Sequence, residues 1–305
     1  MKLIARFVVL SFSILSINAF SSLVHKLPEG VDHLTMFIFQ SPKGLKWDSP
    51  TAIARTTVRN YLSPGNRKIG HVAVEFNCHA TDDGPAQYAL TGMTDNGMNA
   101  FKSLLSKRDG FYILFDNFPG KLEKAEDLRN EIQKKFKKGR LASVTYMISS
   151  QTCQRLARYL REYKENEYHA WYGLPNRPRY GEGAGCSAFG KSFIEIAGLY
   201  TAEHEKNWSY SLRFPEKLVG GPLGGKKVRL SKILFKKHRW AKANEPHFFL
   251  KFWDPDPMYK WVHRKAQTYF NANQSAEYKV KRINRTFHLL YDKRTIATPV
   301  TPIWK

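Results

Sequence analysis

The sequence predicts an α+β fold, with antiparallel strands carrying helices on their flanks, and three observations lead there. Short runs of large apolar or alternating residues recur between residues 33 and 148. Longer runs place apolar residues at helical spacing, and turn-rich loops separate the two kinds of segment.

HLTMFIFQ (33 to 40) is dense in large apolar residues and is expected as the first strand. SPTAIARTTVRNYLS then offers Ser49 as an N-cap with Pro50 in the first turn, where proline's missing N–H costs nothing. The loop SPGNRKIG delivers the chain to HVAVEF (71 to 76), a strand beginning at His71. Alternation puts His71, Ala73 and Glu75 on one face and Val72, Val74 and Phe76 on the other. The polar NCHATDDGP leads into AQYALTG, the returning arm of a hairpin. FYILFD (111 to 116) is expected as a further strand.

In KLEKAEDLRNEIQKKFKKG, Leu122, Leu128, Ile132 and Phe136 fall on one helical face. Acids come early and lysines late, as the helix dipole favours, and Gly139 is the stop. ASVTYMIS is another strand and SQTCQRLARYLREYKEN another amphipathic helix. YHAWYGLPNRPRYGEGAG is an irregular aromatic loop that runs into Cys186.

From about Gly220 the texture changes at GGPLGG, and the last 80 residues carry 19 Lys and Arg against 5 Asp and Glu. Aromatics such as Trp240, Phe252, Trp253 and Trp261 are interleaved at a density that favours burial over disorder. The expected organisation is a signal peptide at 1–19, a core domain at 20–220 and a basic aromatic extension at 221–305 packed on the core. DPDP (254 to 257) reads as a rigid turn, because each proline holds its neighbour extended.

The signal peptide rests on Lys2 and Arg6 ahead of an apolar stretch from Phe7 to Ile17, then Asn18 and Ala19. An uncleaved anchor is the alternative, Ile17 being large for its place before the cut. The chain is therefore expected to be exported. The formal charge of +23 becomes +21 when Lys2 and Arg6 leave, which points to an anionic neighbour, a cell-wall polymer or a membrane surface. Nucleic acid is disfavoured by that address. Cys78, Cys153 and Cys186 form an odd set in an oxidising compartment. Either Cys78 and Cys153 pair and leave Cys186 free, or all three stay thiols.

Thiol catalysis needs a thiolate to attack a carbonyl and an imidazole to deliver the proton. A helix start lowers a thiol pKa through its dipole and unpaired amides. Cys186 occupies such a place, between Gly181, Gly183 and Gly185 and a buried face of Ala188, Phe189, Phe193, Ile196, Ala197 and Leu199. Its own amide is a donor for a developing oxyanion. Of ten histidines, His71 begins a clear strand straight after a glycine. The position expected opposite it, Thr91, is the candidate for orienting the ring, with Gln87 and Thr94 as less central options. Cys78, His79, Asp82 and Asp83 are close in sequence but lack a second ligand pair, so no metal or other cofactor is expected.

GHVAVEF followed 115 positions later by YGEGAGCSAFGKSFIEIAGL resembles the circularly permuted papain-like cysteine hydrolases, relatives of the NlpC-type peptidases and of lecithin retinol acyltransferase. In that group a GH strand precedes a CS or CT helix, the reverse of ordinary papain order. The resemblance spans about residues 33 to 200 and includes Tyr172 in the aromatic loop. It implies an antiparallel sheet carrying His71 against a helix starting at Cys186, and attack on an amide, ester or thioester. The expected function is therefore an exported cysteine hydrolase cleaving an amide bond, most plausibly in cell-wall peptide. The alternatives are a lipid ester or thioester hydrolase or acyltransferase, and a non-enzymatic binder of anionic envelope polymers.

Overall fold

Seven consecutive buried residues make up strand β1, His33–Phe39, as expected of a near-continuous apolar run covered on both faces. The computed structural model describes residues 27–64, 69–96, 108–271 and 278–305. The signal-peptide expectation for 1–19 lies outside the described residues. Strand β1 is flanked by two antiparallel partners, β2 (His71–Cys78) and β5 (Leu141–Met147). Outward from β2 come β3 (Gln87–Asp95), β4 (Phe118–Leu122) and the short β6 (Trp171–Tyr172); outward from β5 come β10 (Thr286–Asp292) and β9 (Tyr278–Ile283). Among these described pairings only β10 with β5 is parallel. Strands β7 (Ser209–Pro215) and β8 (His247–Trp253) form a separate two-stranded ribbon.

The described residues form eight helices and ten strands, an α+β architecture with a large, mostly antiparallel sheet. Helix α1 (Pro50–Tyr61) starts where its signals put it, with the Ser49 side chain accepting from the Ala52 amide. Helix α2 (Ala125–Lys137) lays Leu128 and Ile132 on one sheet face, against Phe37, Phe39 and Ala73. The other face carries Val72, Val74 and Phe76. It is covered by α3 (Ser150–Glu165), α4 (Cys186–Ile196) and α8 (Pro255–Asn271). Phe189 and Phe193 of α4 are fully buried there, and each stabilises the docking by about 1.5–3 kcal/mol. Helix α5 (Ala202–Trp208) opens on a capping box between Thr201 and His204. The remaining helices are α6 (Gly221–Gly224) and α7 (Leu230–Phe235). A second apolar cluster gathers α1, α7 and the ribbon around Trp47, Phe111, Phe214 and Phe252.

Three segments differ from expectation. FYILFD opens as a 3-10 helix, Phe111–Leu114, rather than a strand. An apolar run this short has no period of its own, and the tighter turn sends Phe111 against Phe214, ring centroids 5.4 Å apart. Leu122, assigned to the face of α2, instead ends β4 and pairs with Met93. DPDP is a helix start: the Asp254 side chain accepts from the Asp256 amide at 2.8 Å, and Pro255 takes the first helical position, where its ring is tolerated. Residues 221–305 supply two strands of the main sheet and, in Met258, Trp261 and Val262 of α8, part of its core.

Cys78 and Cys153 form a disulfide that ties the end of β2 to α3, with 5.5 Å between their Cα atoms. Of the two arrangements open from sequence, the structure contains the one that leaves Cys186 free and buried.

Candidate active site

The site forms where β2 begins and α4 begins. Gly185 caps α4 without a side chain, so the first amides of the helix, from Cys186 onward, are left for another acceptor. One turn on, Gly190 brings the helix against β2: a Cβ there would lie 2.4 Å from Val72 Cγ1. That contact sits beside His71 and on the same helical face as Cys186. Close approach at this glycine lets the start of α4 lie against the start of β2.

Cys186, 6% exposed, has its thiol 3.9 Å from the Ser187 hydroxyl and feels the His71 ring and the Val72 amide beside it. Burial pushes this thiol up, but the His71 hydrogen bond and charge, with the Val72 amide, outweigh it and bring the thiol down to about 7. The His71 ring packs against Phe39 with centroids 5.5 Å apart. Its Nε2 meets Glu123 Oε2 at 2.5 Å, which leaves Nδ1 as the nitrogen for sulfur. The carboxylate thus meets the imidazole, and the imidazole acts on the neighbouring thiol.

No protein-family model, curated protein or solved structure matches the chain.

What the site can do therefore rests on its own geometry. Cys186 and His71, singled out separately in the sequence, lie together. Thr91 lies elsewhere: the register pairs it with Val74, and its hydroxyl donates to the Glu123 carbonyl at 3.2 Å. It supports the backbone of the residue that meets the ring. Cys78 is committed to the disulfide, and His79 Nδ1 lies 2.8 Å from Asp32 Oδ1.

Glu123 was missed because its neighbours KLEKAED read as a helix start, whereas it is the residue just past β4. Its amide donates to the Gly92 carbonyl at 2.9 Å, stitching it to β3. A Cβ at Gly92 would stand 2.6 Å from Glu123 Oε2 and 3.0 Å from His71 Nε2. A lone glycine inside a strand marks such a close approach, and Gly92 in QYALTGMTD was the legible signal.

Cys186 also borders an apolar cavity of about 180 Å³ between the main core and the second apolar cluster. Ile53, Tyr61, Phe111, Phe118, Leu174 and Ile233 are among its walls, and Gly185 through Ala188 line it where α4 starts. Asp254 faces the same cavity and accepts from the Trp47 indole at 3.0 Å. Burial, with the neighbouring Asp256 carboxylate, pushes Asp254 up to about 7, and Cys186 adds to the effect. An anion at Asp254 in turn disfavours the thiolate. Asp254→Asn is therefore expected to lower the pH midpoint of Cys186 alkylation, and an unchanged midpoint shows that the thiol does not feel this charge.

Proposed function

We propose that the chain is a cysteine hydrolase of permuted papain-like fold that works through an acyl-enzyme at Cys186. The observation that carries this reading is a cysteine at the start of a helix beside a histidine whose ring meets Glu123 at 2.5 Å, with the thiol brought down to about 7. The thiolate attacks the substrate carbonyl, and the negative charge developing on oxygen falls to the first amides of α4. His71, protonated on taking up the thiol proton, gives it to the leaving group as the carbon–heteroatom bond breaks. It then accepts a proton from water, whose oxygen displaces sulfur and releases the acid. Glu123 holds the ring and stabilises its positive form through both steps.

The sheet order supports the permuted fold, since β2 with its leading histidine lies at the centre and α4 packs on it. Export remains the proposed address, and no helix among the described residues is long and apolar enough to cross a membrane.

For the scissile bond, the cavity favours the acyl-lipid alternative over the cell-wall amide. Its walls offer hydrocarbon to a substrate, whereas a peptide brings amides that must find partners once desolvated. The test has two parts. Iodoacetamide alkylation of Cys186, read by mass spectrometry against pH, is expected to show a midpoint near 7 that rises to about 8.5, the free cysteine value, or above in His71→Ala. A midpoint at the free value that ignores the substitution leaves only the non-enzymatic binder. Next, p-nitrophenyl esters of increasing chain length are compared with muropeptides. A rising burst with chain length is expected, and cleavage of muropeptides alone restores the amide reading.

A further inference from the structure

Two packed helices form one wall of the cavity that holds Cys186. Helix α1 supplies Ile53, Ala54, Thr57 and Tyr61, and α7 supplies Leu230 and Ile233. Arg55 Nε donates to the Leu234 carbonyl at 2.9 Å, and the Thr51 hydroxyl to the Lys236 carbonyl at 2.7 Å, so the pair behaves as one unit. Its inner side is accounted for by the cavity.

Among the described residues, its outer side leaves large apolar side chains uncovered. Phe235 is 81% exposed, and Leu62, just past α1, is 82% exposed. Exposed Arg55 and Arg59 precede Leu62 at helical spacing, exposed Lys232, Lys236 and Lys237 flank Phe235, and neither helix contains an acid. From Lys227 to Lys242 the chain carries seven Lys and Arg and no Asp or Glu. Large exposed apolar side chains set among cations are what an anionic lipid interface recognises: headgroups meet the charges while the rings enter the acyl boundary. A dissolved polyanion satisfies the cations but gains nothing from Phe235 or Leu62. The same two helices therefore face hydrocarbon on the inside and carry lipid-surface chemistry on the outside.

We propose that the outer face of α1 and α7 docks on an anionic phospholipid surface, bringing the neighbouring cavity up to its acyl chains. The proposal deepens the acyl-lipid reading of the site, but the docking step needs no chemistry, and the two can fail separately.

The experiment is co-sedimentation of Cys186→Ala protein, which forms no acyl-enzyme, with vesicles of phosphatidylglycerol and phosphatidylcholine, or of phosphatidylcholine alone. Binding is expected to the anionic vesicles, and to fall about tenfold or more in Lys236→Glu/Lys237→Glu and about tenfold in Phe235→Ser. Phe249→Ser, at a 55% exposed position on β8, is the control expected to bind as the parent does. Thermal unfolding of each variant separates lost docking from lost folding. Patch variants that bind like the parent overturn the proposal. So does loss on charge reversal with none in Phe235→Ser, which assigns the cations to a soluble polyanion. A flat chain-length series in the wild-type protein, with vesicle binding intact, retires the acyl-lipid reading and leaves the docking surface standing.

Discussion

Glu123→Gln is expected to slow acyl-enzyme formation from a medium-chain p-nitrophenyl ester by on the order of 10²- to 10⁴-fold. The substitution keeps the size of the side chain and removes its charge. Two losses follow from the 2.5 Å contact with His71 Nε2. The imidazolium that pairs with the thiolate loses its counter-charge, which favours the neutral thiol and imidazole. An amide that turns its NH₂ toward Nε2 also forces the ring proton to Nδ1, the nitrogen needed to accept from sulfur.

The substitution therefore carries its own diagnostic. The alkylation midpoint of Cys186 is expected to rise from about 7, because the positive partner is no longer stabilised. Below the new midpoint the alkylation rate falls tenfold per pH unit, as thiolate is replaced by thiol. Glu123→Asp keeps the charge but shortens the reach, so it is expected to lie between the two. A burst rate within about threefold of the parent, with the midpoint unmoved, removes Glu123 from the mechanism.

Gly190→Ala is expected to damage the site from a distance. The added methyl would sit 2.4 Å from Val72 Cγ1, well inside contact distance, between two elements already buried. Alanine in a helix is favoured over glycine by about 1 kcal/mol, while overpacking in a filled core costs about 1–3 kcal/mol. The net expectation is a small loss of stability in thermal unfolding, together with a shift of α4 away from β2. That shift separates Cys186 from His71 and from the Val72 amide, so the alkylation midpoint moves toward the free value. Val72→Ala in the same chain removes the opposing methyl and is expected to restore both properties, giving a strong coupling in a double-mutant cycle. Additive effects, or a Gly190→Ala protein with an unmoved midpoint, show that the glycine does not set the helix position.

Two glycines also mark how far the site could be read from the chain. Gly185 and Cys186 announced a helix start, and His71 announced a strand, because caps and alternation are properties of near neighbours. Gly92 and Gly190 carried information of another kind. Each is small because something distant in sequence passes over it, Glu123 in one case and Val72 in the other. A glycine says that something approaches, not what. Thr91 is the position expected opposite His71, but a long hairpin loop leaves the register open, and a shift of a few residues moves a different side chain opposite the histidine. The observed pairing of Val74 with Thr91 and Ala73 with Gly92 corrects that register.

By itself the sequence determined β1, β2, β5, the first four helices and the placement of Cys186 at the start of α4. Each is written in local periodicity, a capping residue or a glycine stop. Only the tertiary structure decided that Glu123 meets the ring of a histidine 52 positions earlier. It also seated β10 beside β5, and enclosed the apolar cavity at the thiol between α1, α7 and the C-terminal Asp254. Those contacts depend on which strands neighbour one another and on how two apolar clusters meet. Side chains far apart in sequence create them only after the sheet has closed its order.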